Sequence, residues 1–458
     1  MTAKPPYKTV EPARCRFLAL VKFLMEHASY ILTAVIALLF YIAVLPHFRP
    51  YAWVDDWIYT KPLGFTTLSE WWRWLWQQHV DHRIPIQKLT NFLVLSWTGF
   101  DYRWLVAINF AMAIATSILL LEVARRYRGR RSIGDTSIPL ILLNFGMGYT
   151  QWGFQFQFMS SILSMSIFLF SALIWLQTQK NMPALIGALS LMVACLTGMN
   201  GVLPALGIGI ACIAWAIWRH KPTNIVFLFA APIGMALVIL AMWTPFVGSD
   251  QSPIKSSELL NYAAGLTTGA FTIFVQHHEA AARIIIFVLL FLAAASILIR
   301  IGRKILDDAD LLLTAFLGVY LCLLASIAYG RVKVQGGWEY GSAIHYGVLA
   351  IFIPILAWVI ASKALPKLRA EILGLAVLIV ALFVFEVNYQ WRAWMIGYCD
   401  PLQAKALQDL KSNKSIDQIA TDNITQFHVG LSGIKEVTDG ISALRKAGYE
   451  LYGGKRHR

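Results

Sequence analysis

Apolar runs of about twenty residues, separated by short polar stretches, fill most of the chain. They fall near 29–46, 103–121, 137–150, 158–177, 183–199, 202–218, 224–244, 281–299, 310–328, 346–362 and 371–390. A helix needs about that length to cross the hydrocarbon core of a bilayer. The pattern therefore predicts an all-α, polytopic membrane protein with about eleven transmembrane helices; the third run is the shortest. Three polar segments between runs are long, at 47–102, 245–280 and 329–345. After the last run comes a tail, 391–458, with the helix-like pieces "DPLQAKALQDLKS" and "GISALRKAGYE". The predicted organisation is a segment 1–28, a membrane domain 29–390 whose first outer loop is 47–102, and a small region 391–458 that packs on the outer loops. No small-residue cleavage site follows the first run, so that run is expected to stay as a span. No repeat of 20–50 residues and no inverted pair of Gly/Pro-broken runs is visible.

Composition agrees with this picture. The chain has 458 residues, 58% hydrophobic and 14% charged, with mean hydropathy +0.59. A soluble domain would carry about 25% charged residues. The net charge of +14 would suggest nucleic acid in a soluble protein. Here the basic residues sit in alternate short loops: the N-terminal segment, "ARRYRGRRS" after the second run, Arg219 and Lys221, Arg300 to Lys304, and Lys363 to Arg369. That alternation is a topology signal. It predicts a cytoplasmic N-terminus, an extracytoplasmic tail and no nucleic-acid partner. The five cysteines show no paired spacing, so neither a disulfide framework nor a zinc site is predicted.

The first long loop carries the most suggestive chemistry. "YAWVDDWIYTKPLGF" sets Asp55 and Asp56 side by side among Trp53, Trp57 and Tyr59. Next comes "LSEWWRWLWQQHVDHRIP", with four tryptophans in a turn and a half, Ser69 as a candidate cap, and then His79, Asp81, His82 and Arg83. Tryptophan favours the membrane interface, so this stretch predicts a surface helix, either a plain anchor or the wall of a lipid cavity. The histidines and carboxylates admit a divalent cation without requiring one, and no cofactor is predicted. Adjacent aspartates also cap helices, and an interfacial Arg also snorkels. "QHHE" at 276–279 reads as an exposed loop and "DDAD" at 307–310 as a span boundary.

An acidic pair just after the first span resembles the signature of the GT-C superfamily of membrane glycosyltransferases, which includes arabinosyltransferases, aminoarabinose transferases and protein O-mannosyltransferases. "DDW" at 55–57 fits the Asp-Asp-X form. The many spans, inner N-terminus, long first loop with interfacial helices and outer tail match the same plan. "HVDHRIP" and "QWGFQFQF" also resemble stretches in bacterial membrane proteins of this type. Their late outer loop has Gly-Arg and then Arg-Tyr; here Gly330-Arg331 is followed by His345-Tyr346. The resemblance implies a bacterial inner (plasma) membrane enzyme. It would move a sugar from a polyprenyl-phosphate donor to an envelope glycan or lipid acceptor. Asp55 would be the base and Asp56 its tuner, since like charges raise one pKa. His82, Arg83, Arg331 and Lys333 would hold the donor phosphate. Trp57, His79, Gln155, His345 and Tyr346 would contact substrate. The alternative from another class is a transporter or flippase for a lipid-linked glycan or small molecule, which would be expected to show charges within its spans.

Overall fold

A computed structural model describes residues 27–80, 82–221, 223–244, 255–332, 344–412, 414–429 and 431–454, apart from the side chains of residues 224, 344 and 345. Among the described residues the chain is helical, and the single β pairing is an isolated bridge between His79 and His82. In chain order the helices are α1 (His27–His47), α2 (Leu68–Trp76), α3 (Pro85–Trp97), α4 (Arg103–Arg128), α5 (Ser137–Leu142), α6 (Phe156–Thr178), α7 (Asn181–Cys195), α8 (Met199–Trp218) and α9 (Thr223–Ala241). They continue as α10 (Ser256–Thr268), α11 (Ile273–Gly302), α12 (Asp308–Arg331), α13 (Ile344–Ala350), α14 (Phe352–Lys363), α15 (Lys367–Lys411), α16 (Ile416–Asp422), α17 (Ile424–Phe427) and α18 (Ile434–Lys446).

Eight helical stretches among the described residues are long and apolar enough to cross a membrane: α1, α4, Gly153–Thr178, α8, α11, α12, Tyr346–Lys363 and α15. Each overlaps one of the predicted runs. The runs 137–150, 183–199 and 224–244 meet shorter apolar helices instead, Ile133–Leu142, Asn181–Cys195 and Ile225–Ala241. α14 runs through the middle of the bundle, buried on every side from Phe352 to Ser362. A helix that is apolar all round belongs in a core. α1 and α15 lie at the rim and leave most of their apolar windows uncovered by protein.

The basic loop residues are ion-paired as well as placed. Arg300 and Lys363 reach Asp310 at 2.8 and 3.0 Å, Tyr127 donates its hydroxyl to the same carboxylate at 2.7 Å, and Arg128 pairs with Asp135. This ties α4, α11, α12 and α14 together at one end. "DDAD" supplies the cap of α12, where Asp307 and Asp310 bond each other's backbone N–H. "QHHE" is not a loop; it lies inside α11 at a kink where His278 leaves helical geometry, and Glu279 pairs with Arg283 at 2.7 Å.

A second core sits apart from the bundle. Residues 51–105 supply Tyr51, Trp57, Tyr59, Trp74 and Phe100; the far end of the chain supplies Leu410, Phe427, Ile441, Leu444 and Tyr452. We call this unit the cap. The tail thus packs on the first loop. It is reached through α15, which runs unbroken across position 390. In α2 the cap residue is Thr67, not Ser69. Thr67 accepts the Glu70 N–H at 3.3 Å, and Glu70 takes the Thr67 N–H at 2.9 Å. Only Thr67 has a Glu three residues on, as a capping box requires. Trp72 and Leu68 of α2 stand exposed while Trp74 is buried.

Candidate functional site

The aspartate pair opens a 3-10 helix, Val54–Gly64. Trp53 is its extended N-cap, and Val54 is held at φ +52°. A β-branched residue is strained in that region. The turn it makes sends the two carboxylates opposite ways. Asp56 points inward and is 2% exposed. Its Oδ2 takes the Trp53 N–H at 3.4 Å, while Oδ1 is buried without a hydrogen-bond partner. Burial pushes its carboxyl well above the ordinary range, and the nearby Asp55 charge adds to the effect. The raised pKa thus falls on Asp56 and is mainly a matter of burial, not of like charge.

Asp55 points toward the surface. Its Oδ1 lies 3.0 Å from Nε2 of His79, and both side chains are partly exposed. A carboxylate can only accept, so this contact fixes the proton of His79 on Nε2. His79 also exchanges two backbone hydrogen bonds with His82, at 2.8 and 2.9 Å. Val80, between them, is held at φ +51°. A strained valine therefore flanks each member of the Asp55–His79 pair.

His82 stands at the edge of a cavity of about 470 Å³ between α6, α8, α12, α13 and the end of α9. Its Nδ1 accepts the Met199 N–H at 3.4 Å. Arg331 and Tyr346 line the same cavity, with the guanidinium 6.0 Å from the centre of the tyrosine ring. Most of the remaining wall is apolar, from Phe158, Leu203, Leu323 and Leu349, with Asn200 and Ser326 as polar exceptions. The volume is in the range of small-molecule sites. Beside it, Asn200 Oδ1, Gln157 Oε1 and both polar atoms of Gln155 are buried without hydrogen-bond partners. Two of these oxygens converge on Gly198: a Cβ there would sit 3.0 Å from Asn200 Oδ1 and 3.2 Å from Gln157 Oε1. Gly198 has φ +109°, which a side chain would not tolerate. Buried carbonyl oxygens left unpaired are costly, and hydroxyl donors are what they lack.

Of the predicted site residues, Asp55, His79, His82, Arg331 and Tyr346 are thus linked in one chain of contacts, while Gln155 is fully buried and does not line the cavity. Three sit elsewhere or in other roles. Trp57 is packed between the loop and the tail, 1% exposed, with its Nε1–H on the Phe427 carbonyl at 3.1 Å. Arg83 spends its donors on backbone: Nε and Nη2 on the Met242 carbonyl at 3.2 and 2.6 Å, Nη1 on the Trp76 carbonyl. Asp56 is a buried acid. Lys333 and the side chain of His345 lie outside the described residues, as does Asp81.

Asn200, Gly198 and Lys88 are not among the residues picked out by sequence. "TGMNG" at 197–201, an Asn between glycines inside an apolar run, is a signal for the first two. Lys88 is buried in α3 and donates to the Trp74 and Gln77 carbonyls, both at 2.6 Å. Burial pulls its pKa down to about 8. With Arg83 it clamps the end of α2. Gln87 and Asn91, on the same face of α3, hold the Tyr59 hydroxyl at 2.6 and 2.9 Å and so fix the 3-10 helix. Among the described residues no group of three or more His, Cys, Asp and Glu side chains could hold a metal ion. Comparison with known protein families finds no match for this chain, and none is found among curated proteins.

Proposed function

We propose that this protein is a membrane glycosyltransferase of GT-C type that takes sugar from a polyprenyl-phosphate donor. One observation carries the reading: His79 links Asp55 to His82, and His82 shares a bundle cavity with Arg331 and Tyr346. A carboxylate, a cationic end and an apolar slot are the three parts such a transfer needs. The acceptor hydroxyl attacks the anomeric carbon, the bond from that carbon to the phosphate oxygen breaks, and the hydroxyl proton passes to Asp55. His79 orients the carboxylate. Arg331 and His82 hold the leaving phosphate. The unpaired oxygens of Asn200, Gln157 and Gln155 accept from sugar hydroxyls. The prenyl chain lies along the apolar wall.

Counting the three shorter apolar helices as crossings gives eleven. An odd number puts the tail opposite the N-terminus, and the basic loops put the N-terminus in the cytoplasm of a bacterial cell. The cap and the Asp55 pair then face outward, where an envelope glycan or lipid acceptor is found.

The test is mass spectrometry of envelope glycans from a host lacking the protein, complemented with wild type or with Asp55→Asn at equal expression. A sugar should disappear, return with wild type and stay absent with the variant, because losing a general base costs about 10²–10⁴-fold in rate. Full restoration by Asp55→Asn would remove Asp55 from the chemistry. Unchanged glycans in the deletion host would overturn the transferase reading and favour a transporter.

A further inference from the structure

A second cavity, of about 190 Å³, sits where α1 ends against the middle of α15. It shares no lining residue with the first cavity. Arg49, Trp53, Gln151, Arg392, Cys399 and Gln403 surround it, with apolar atoms from Phe48, Met395 and Ile396. Arg392 is 6% exposed. Its Nε and Nη2 donate to the Phe145 carbonyl at 3.0 and 2.8 Å, and Nη2 also reaches the Thr150 hydroxyl at 2.9 Å. All of these partners are neutral. Arg49 lies over the Trp53 ring at 4.5 Å, and its Nε is buried without a hydrogen-bond partner. The Tyr51 hydroxyl, in a residue 1% exposed, is also unpartnered and lies within electrostatic reach of Arg49 and Cys399.

Two guanidinium groups thus line one small cavity, and among the described residues no carboxylate lines it. The nearest acids stand outside the lining. Asp400 is engaged at 2.8 Å by His47, itself on the cavity rim, and Asp56, though within electrostatic reach of Arg49, is buried in the cap core. Gln403 donates to the His47 carbonyl at 3.3 Å and Gln151 to the Gly146 carbonyl at 3.3 Å, so both amides brace the walls. Arg392 is buried and Arg49 half-buried, and like charges so placed without a counterion are costly. A bound anion reverses that cost, and paired arginines favour the oxygen fork of a phosphate.

We infer that the Arg49–Arg392 cavity binds a phosphate ester, separately from the Arg331 cavity. The volume exceeds what a bare phosphate fills, and one wall is apolar. α1 is a candidate membrane span, and its end opens onto this cavity. A phospholipid head group, with its phosphate on the arginines and its glycerol against Phe48 and Ile396, fits all three features. Free phosphate offers the same oxygens. The inference does not depend on the transferase reading.

Cys399, partly exposed and on the cavity wall, is a built-in reporter. The full chain is purified in a neutral detergent with Cys15, Cys212 and Cys322 replaced by Ser, which leaves the buried Cys195. Labelling of Cys399 by an anionic and a cationic methanethiosulfonate is then timed, each relative to its rate with a free small thiol. The anionic reagent should be favoured about tenfold, and Arg49→Gln should bring the ratio close to one. Phosphatidylglycerol added to the micelles should slow labelling by about tenfold, the lower end of such a charge effect. Protection by inorganic phosphate alone identifies a soluble ligand and also supports the site. Equal rates for the two reagents in the wild-type background, or equal protection by an uncharged lipid of the same chain length, would overturn it. The wild-type charge ratio reads the site without any change to the arginines.

Discussion

The bundle core and the cap core are both apolar, yet they are assembled from different mixtures of contact. In the bundle, helix pairs close in sequence, α6 on α7 and α8 on α9, stand beside longer-range ones such as α11 on α14 and α8 on α12. In the cap, Trp57 meets Phe427 across 370 residues of chain. The forces differ too. Lipid tails are as apolar as leucine, so a membrane bundle holds together by close packing, ion pairs and hydrogen bonds. Arg300, Asp310, Lys363 and Tyr127 are the visible form of that. The cap lies outside the long apolar helices, and there burial from water is the main force. Its buried polar side chains are bonded in part: Tyr59 with Gln87 and Asn91, and Lys88 with two carbonyls. Both regions also hold unpartnered buried polar atoms, Asp56 Oδ1, Tyr51 Oη and Tyr452 Oη in the cap and Asn200 Oδ1 and Gln157 Oε1 in the bundle.

The sharpest way to break this contrast is Trp57→Ala. Truncating so large a buried side chain costs about 3–5 kcal/mol. The tail should come off the first loop and be cut by protease while the bundle helices stay protected. A tail that remains resistant would show that the two cores are not separable. Lys88→Met comes next, at about 1–3 kcal/mol, because the buried Trp74 carbonyl would lose its donor, along with the more exposed Gln77 carbonyl. Hydrogen exchange should quicken at the end of α2 and nowhere in the bundle; an unchanged rate at residues 74–78 would remove the clamp.

Asp56→Asn gives the smallest effect, and its direction depends on pH. A carboxyl whose folded pKa is raised contributes its full stability below the ordinary value of about 3.9 and loses it as pH rises toward the folded value. Asn has no charge to bury. Unfolding midpoints of variant and wild type should therefore match in acid and separate above it, with the variant more stable at alkaline pH. Parallel curves from pH 5 to 9 would mean that Asp56 is not held as a buried acid.

Hydropathy makes α1, α4, α8, α11, α12 and α15 legible because each is a contiguous run, and the two cores part at this point. For the cap, the sequence shows that the tail packs on the outer loops, but not which residues meet. Trp57 looks like a substrate residue when its partner is a backbone carbonyl near the other end of the chain. Ser69 looks like a cap until the spacing Thr67-x-x-Glu70 is weighed. Asp55, His79, His82, Arg331 and Tyr346 can each be picked out as polar or aromatic residues near span ends. That His82, Arg331 and Tyr346 line one cavity, with His79 and Asp55 linked to His82, depends on helix packing, which no local pattern encodes. Arg83 illustrates the reverse error: an arginine beside histidines suggests phosphate, but the nearest unpaired carbonyls took its donors. Arg49 and Arg392 escape notice because each is a lone arginine in an apolar neighbourhood, and only the fold brings them to one cavity.

The distance between Trp57 and Phe427 also has a meaning in time. A ribosome adding about 5–20 residues per second needs roughly 20–70 s to cover those 370 residues. For that interval the first loop exists without the segment that covers Tyr51, Trp57 and Phe100. Its tryptophan-rich helix α2, with Leu68 and Trp72 facing outward, gives the nascent loop a way to rest on the bilayer surface while it waits. The cap is thus completed only after every bundle helix has been made, and a chain truncated before residue 427 would leave the aspartate turn unsupported.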